Sequence, residues 1–298
     1  MIDNIIVRGE KKYVLSDVER NEANKLNLTA KQYIIEQENQ KFFDHIDPNQ
    51  PPLFSSVEIE TINACNGRCS FCPVNKVADP RTHITMRRDL FEKIITELQA
   101  LNYSGRIGLF SNNEPFLDKR IIDFAKYARE HLPYAYLYLY TNGSLLTLKK
   151  YNEIMQYLDY LVIDNYDDTG KVQPAVSEII TLCERDELLD QKTMISIRRQ
   201  TEVLYTRGGN APNRGHIEPL NMTCTLPFQQ LVIRPDGKLS LCNNDAYGEM
   251  TMGDISLNSI LDEWYGTPYE NIRKSLLGGR KNCALCKKCD SLFHPTKY

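Results

Sequence analysis

The chain reads as an α/β protein, parallel βα units forming an incomplete barrel, followed by a small α+β unit built around a second metal site. Three observations predict this. Between residues 57 and 198 strand-like runs alternate with helix-like runs, the pattern of parallel βα units. The units number about five or six, too few for a complete eight-unit barrel. Beyond residue 207 the texture changes to loops, an Asp-Gly hairpin and clustered cysteines.

The elements follow in order. Residues 1–52 form a polar N-terminal extension with helix-like residues at 29–43, closed by the proline cluster Asp47-Pro48-Asn49-Gln50-Pro51-Pro52. Residues 53–206 make the barrel. A strand at 57–61 leads into a cysteine loop, then a helix at 88–101 whose Leu90, Phe91, Ile94, Ile95 and Leu98 recur at helical spacing. Strands at 106–110, 135–140, 160–163 and 193–198 alternate with helices at 119–131, 149–158 and 175–189. The auxiliary unit spans 207–298: a loop at 207–215, a hairpin of 229–234 and 238–241 turning at Asp236-Gly237, and helices at 259–265 and 269–277. It ends at Cys283-Ala284-Leu285-Cys286-Lys287-Lys288-Cys289.

Bulk properties narrow the class. With 298 residues, 42% hydrophobic and 25% charged, the chain is that of an ordinary globular protein of one or two domains. A net charge of −3 with interspersed signs argues against nucleic-acid and anionic-membrane surfaces. No apolar run is long enough to span a bilayer, and Met1-Ile2-Asp3-Asn4 lacks the features of a signal peptide, so a cytoplasmic location is expected. There, nine cysteines indicate metal ligation rather than disulfides.

Cys65-Asn66-Gly67-Arg68-Cys69-Ser70-Phe71-Cys72 is the most informative segment. Thiolates suit iron–sulfur clusters, and a cubane takes one ligand per iron. Three cysteines on one loop therefore leave one iron open to a small molecule. Zinc would need a fourth ligand, and His83 is poorly spaced to supply it. In parallel βα folds the chemistry sits at the C-terminal ends of the strands, where this loop, Asn112-Asn113-Glu114-Pro115 and Thr141-Asn142-Gly143 all fall. Cys183 reads as a buried structural thiol on the apolar stripe of its helix. Tyr134, Tyr136, Tyr138 and Tyr140 reflect strand alternation.

The Cys65-x3-Cys69-x-Phe71-Cys72 pattern resembles the signature of the radical S-adenosylmethionine (SAM) enzymes. The resemblance implies a partial (β/α)6 barrel of TIM type, in agreement with the unit count, and an open iron that binds SAM, with Cys65, Cys69 and Cys72 as ligands, Asn112 and Asn113 shaping the cofactor loop and Glu114 contacting the SAM amino group. Phe71 is a candidate support for adenine or a packing residue. Tyr140, Asn142 and Asn165 are candidates for ribose or carboxylate contacts, and Arg198 for a bidentate pair with the SAM carboxylate. Cys224, Gly237 and Cys242 resemble the opening of the SPASM and shorter twitch auxiliary-cluster domains. Through that resemblance Cys224, Cys242, Cys286 and Cys289 are the auxiliary ligands, giving two [4Fe-4S] clusters in all. A zinc ribbon remains the competing reading of these four thiols.

Over much of the chain beyond residue 55 the sequence resembles the butirosin-pathway 2-deoxy-scyllo-inosamine dehydrogenases, through Glu114-Pro115-Phe116-Leu117, Tyr140-Thr141-Asn142-Gly143, Arg207-Gly208-Gly209 and Leu285-Cys286-Lys287-Lys288-Cys289. The match implies that Arg207 contacts substrate. Phe110 replaces a histidine of that family, Asn243-Asn244 replace an aromatic and an acid, and residues 1–50 have no counterpart. The expected activity is oxidation of a sugar or aminocyclitol hydroxyl to a ketone, with the auxiliary cluster taking the electron and flavodoxin or ferredoxin as donor. Alternatives are epimerisation of a sugar or peptide, peptide crosslinking, and simple electron carriage. Cys283 is a spare thiol, a substitute ligand or a hydrogen donor, and His216 a candidate proton acceptor.

Overall fold

The computed structural model describes residues 32–47, 50–215, 217–218 and 220–292. Residues 32–44 form helix α1. The βα series follows: β1 (Ser56–Ile59), α2 (Arg88–Ala100), β2 (Arg106–Gly108), α3 (Ile121–His131), β3 (Tyr136–Thr141), α4 (Leu148–Ile154), β4 (Tyr160–Tyr166), α5 (Pro174–Arg185) and β5 (Thr193–Arg198). After a long loop come β6 (Gln230–Ile233), β7 (Lys238–Ser240), β8 (Thr251–Asp254), α6 (Ile260–Trp264) and α7 (Thr267–Leu277).

All strands join one sheet in the order β5-β4-β3-β2-β1-β6-β7-β8. From β5 to β6 every pairing is parallel, while β7 and β8 are antiparallel. The sheet is therefore open, with six parallel strands and, among the described residues, the four crossover helices α2 to α5, a loop leading from β5 to β6; it is the expected partial barrel. Its sixth parallel strand, β6, is also the first strand of the expected hairpin. That hairpin turns at Gly237, whose φ of +89° suits glycine and where an added Cβ would stand 3.0 Å from Ser256.

Alternation along the strands divides the molecule into two faces. Val57, Ile59, Ile107, Leu137, Leu139, Leu161, Ile163, Ile195, Leu231 and Ile233 face the helices and enter the main core. Leu90, Phe91, Ile94, Ile95 and Leu98 of α2 meet them, each stabilising the fold by about 1.5–3 kcal/mol through burial. Ser56, Glu58, Tyr138, Tyr140, Asp164, Tyr166, Arg198 and Gln230 face the other way, into a cavity.

Two elements differ from the sequence reading. Helix α5 stops at Arg185 rather than 189, because Glu187 is left-handed (φ +53°) and the Leu188 amide bonds back to Cys183 O at 2.8 Å. Strand β8 was not expected, since Thr251-Met252-Gly253-Asp254 shows no alternation; it pairs with β7 across an irregularity at Leu239/Ser240. Trp264 anchors the C-terminal helices to the barrel entry, donating from Nε1 to Pro52 O at 3.2 Å and packing edge-on against Phe54. Among the described residues no helix is long and apolar enough to cross a membrane.

Candidate active site

A cavity of about 570 Å³ opens at the C-terminal ends of the parallel strands. Cys65, Cys69 and Cys72 stand on its wall, as do Phe71, Asn112, Asn113, Glu114, Tyr140, Asn142, Arg198 and Arg207. The loops after β1, β2 and β3 thus converge as their positions in the sequence predict.

The cysteine loop is shaped by its own backbone. Cys72 N bonds to Cys69 O at 3.1 Å and Lys76 N to Gly67 O at 2.8 Å. Asn75, which the sequence reading passed over, donates to Cys69 O and Cys72 O and accepts from the Val77 and Ala78 amides. Ser70 ties the loop to the segment after β5 through Gln200 O at 2.8 Å and to Asn213 at 2.9 Å. Gly67 leaves the space among the thiols clear: a Cβ there would lie 3.3 Å from Cys65 Sγ and 3.9 Å from both Cys69 Sγ and Asn142 Nδ2. Burial pushes the Cys65 and Cys69 thiols up to about 12, so thiolates there require the positive charge of a metal. The donor set and the cleared space fit an iron–sulfur cluster. Gly67→Ala is expected to lower iron retention and SAM cleavage by about 10-fold, the scale of a disturbed metal surround, with an unchanged circular dichroism spectrum.

Glu114 is 1% exposed and its carboxylate is fixed by three donors. The Thr141 hydroxyl (2.7 Å) and Phe116 amide (3.1 Å) bond to Oε1, and the Asn142 amide (2.7 Å) to Oε2. Burial raises its pKa against these bonds. Asn142 also donates from Nδ2 to Asn66 at 2.9 Å. Phe71 packs on Tyr166 with ring centroids 5.5 Å apart, and Phe110 on Tyr140 at 4.6 Å, so aromatic faces border both ends of the cavity. Arg198 is held by Glu202 at 2.7 Å.

Arg207 sits at a φ of +52°, an uncommon conformation for a residue with a side chain and a frequent mark of a functional site. Its Nη2 bonds to Asn112 Oδ1 and, at 3.1 Å, to Asn243 O, while its buried Nε lacks an acceptor. Asn113 Nδ2 on the same wall is likewise buried and unpartnered. The turn is locked to the C-terminal cysteine segment: Thr206 donates from its hydroxyl to Lys288 O (2.7 Å) and from its amide to Asp290 (2.7 Å).

Glu58 is the site residue that the sequence reading missed. It is 4% exposed on β1, and Oε1 accepts from Gln230 Nε2 at 2.9 Å and Asn243 Nδ2 at 3.4 Å. Oε2 is buried and makes no hydrogen bond. Burial pushes the carboxyl up to about 7, against the pull of Ser111, Asn243, Arg207 and Arg106. Its signal was available, since a glutamate between Val57 and Ile59 must face away from the helices.

Cys224, Cys242, Cys286 and Cys289 line a second, enclosed space with Arg280, Leu285 and Ser291. Leu226 and Asn244 border both this space and the large cavity, so the two are neighbours. Among the described residues no three His, Cys, Asp or Glu side chains gather as they would round a single ion.

Three expectations need correction or fall outside. Asn165 does not face the cavity: it shares the helix side of β4 with Leu161 and Ile163, and pins the following loop by bonds to Lys171 O and the Gln173 amide. Its neighbours Asp164 and Tyr166 face the site instead. Cys283 lines neither space: its sulfur lies 3.6 Å from Met250 and bonds to the Cys286 thiol and amide, beside the second thiol set and away from the large cavity, so it is not placed as a hydrogen donor to a substrate there. His216 lies outside the described residues. Cys183 is fully buried and bonded to the Tyr151 hydroxyl at 3.2 Å, as its structural reading requires.

A cysteine loop and a buried glutamate on the rim of an open parallel sheet, backed by a second thiol set, define an iron–sulfur enzyme. Residues 59–166 match the Radical SAM superfamily and residues 224–290 the SPASM iron-sulfur cluster-binding domain. The chain belongs to the radical SAM superfamily; it is an oxidoreductase that works with SAM and iron–sulfur clusters. Within the family it is 30% identical over 248 residues to the S-adenosyl-L-methionine-dependent 2-deoxy-scyllo-inosamine dehydrogenase of Niallia circulans, covering 82% of this chain and 96% of that one. The crystal structure of BtrN with AdoMet and 2-DOIA superposes with a TM-score of 0.71 at 28% identity, over 82% of this chain and 95% of BtrN. The structure of anSMEcpe with bound AdoMet shares the fold at 15% identity and a TM-score of 0.53, over 80% of this chain and 88% of that one.

Proposed function

We propose that the protein oxidises a ring hydroxyl of an aminocyclitol to a ketone. The observation that carries this reading is the single cavity flanked by two thiol sets, with Leu226 and Asn244 bordering both it and the space of the second. The substrate class follows from the similar dehydrogenase, which is named for an aminocyclitol.

In this reading Cys65, Cys69 and Cys72 hold a [4Fe-4S] cluster with one open iron, and Cys224, Cys242, Cys286 and Cys289 hold a second that is fully ligated. Bound SAM and its cluster supply a 5′-deoxyadenosyl radical for hydrogen abstraction, and the auxiliary cluster supplies an electron acceptor. Glu114, held by Thr141, Phe116 and Asn142, presents its carboxylate to the SAM amino group. Asn112, Asn113, Asn142, Tyr140 and Arg198 shape the rest of that pocket, and Phe71 borders the adenine. Asp164 and Tyr166 take the place that the sequence reading gave to Asn165. Arg207 directs its free Nε at the substrate oxygen and stabilises the negative charge that develops there.

An arginine does not accept the hydroxyl proton. Glu58 does, through the unpartnered Oε2, with a pKa matched to neutral pH. The aromatic wall of Phe110, Tyr138 and Tyr140 keeps water from the carbon radical. The physiological reductant is a low-potential carrier such as flavodoxin or ferredoxin. The barrel at 53–206 carries hydrogen abstraction and residues 207–298 carry electron acceptance.

The test is incubation with SAM, dithionite and 2-deoxy-scyllo-inosamine deuterated at the carbinol carbon. The expected result is a ketone with deuterium in 5′-deoxyadenosine. Isomerised substrate carrying solvent hydrogen at that carbon would overturn the reading.

A further inference from the structure

Arg280 is 2% exposed and borders the space enclosed by Cys224, Cys242, Cys286 and Cys289. Nη1 donates to Cys289 O at 3.1 Å and Nη2 to Ser291 O at 2.9 Å, while the buried Nε finds no acceptor. No carboxylate among the described residues pairs with it; Asp290, beside Cys289, is committed to Arg214 and to the Thr206 amide. Arg273 is as deeply buried, but it lies against the faces of Trp264 and Tyr269 at 4.0 and 4.7 Å. Arg280 has no such compensation. A guanidinium withdrawn from water without a counter-charge is costly, and the anionic group that can balance it is the one the four thiols enclose.

We propose that Arg280 supplies the counter-charge and an N–H···S hydrogen bond to the auxiliary cluster, raising its reduction potential. The inference rests on the reading of those four thiols as cluster ligands. Reduction adds one electron, which comes from the substrate radical after its proton has left, to a thiolate-ligated body that is already anionic. A fixed positive charge in a poorly screened interior favours the more negative state. Hydrogen bonds to the sulfurs act in the same direction. Arg280 is a positioning residue in this scheme, since it touches neither substrate nor SAM.

The test uses the full chain carrying Cys65→Ala, Cys69→Ala and Cys72→Ala, reconstituted with iron and sulfide so that only the auxiliary cluster is read. Redox titration is followed by electron paramagnetic resonance. Arg280→Gln is expected to shift the reduced-to-oxidised ratio at fixed potential at least about tenfold toward oxidised, which is 59 mV for a one-electron couple. Arg280→Lys, which keeps the charge, is expected to recover most of that shift. An unchanged potential in a fully loaded Arg280→Gln protein overturns the proposal.

A second measurement needs no change at residue 280. With guanidino-¹⁵N-arginine incorporated, pulsed resonance of the reduced cluster is expected to show coupling to ¹⁵N, and its absence overturns the proposal if Arg280→Gln fails to fold. If the triple variant binds no iron at all, the ligand assignment itself has failed and the inference falls with it. That outcome is distinct from a loaded cluster whose potential does not move.

Discussion

Cys65→Ala is expected to reduce SAM cleavage to background and remove one cluster's iron, leaving the auxiliary cluster's absorbance in place. Cys289→Ala is expected to do the reverse, with 5′-deoxyadenosine still forming while ketone does not. The asymmetry follows from the two thiol sets lining neighbouring spaces that share Leu226 and Asn244. Quantifying iron, 5′-deoxyadenosine and ketone in each variant decides it. Equal loss of cleavage in both variants would remove the division of labour. The Cys65 sulfur accepts only from the Gly67 amide and, at 4.0 Å, from Asn142, while Asn75 and backbone bonds hold the rest of the loop, so the fold is expected to survive the substitution.

Glu58→Gln is expected to lower kcat/KM for ketone formation by about 10²–10⁴-fold, the usual weight of a general base. The pH profile carries the sharper signature. Burial holds the carboxyl at about 7, so the ionised form that accepts a proton predominates above that pH and is lost below it. Wild-type kcat/KM should therefore climb through neutrality to a plateau, and the rising limb should vanish in the glutamine variant. SAM affinity is expected to change less than kcat/KM, since the bonds that fix Glu114 come from Thr141, Phe116 and Asn142 and not from Glu58. An intact acid limb in Glu58→Gln would assign the proton to another group.

Much of this molecule was legible because strand alternation is a strong constraint. Val57 and Ile59, Leu137 and Leu139, Leu161 and Ile163 announce the helix-facing side of β1, β3 and β4, and the three loops that follow strands form the rim. The same alternation, applied residue by residue, separates Asp164 from Asn165 and exposes Glu58. What failed was the assumption that any polar residue at a strand end points inward. Cys283 was ambiguous for a different reason: spacing places three cysteines on one segment but does not say which way a short helical turn rotates each sulfur. The structure turns Cys286 and Cys289 to the shared space and sets Cys283 behind Cys286, between it and Met250. Arg280 left no trace in the sequence pattern, because its meaning lies in the absence of an acid beside it in three dimensions.

Strand β6 pairs with β1 across 174 residues of chain, Ser56 lying opposite Gln230. On the ribosome, β1 and the whole cysteine loop are made long before the strand that closes that edge. Until residue 233 has emerged, one side of β1 presents unpaired peptide groups, an invitation to mispairing with other chains. Non-local closure of this kind also folds slowly. Cluster insertion into the first thiol set thus meets a nascent sheet whose edge is still open, and heterologous production should improve at low temperature and slow synthesis, when the C-terminal third has time to dock before its neighbours do.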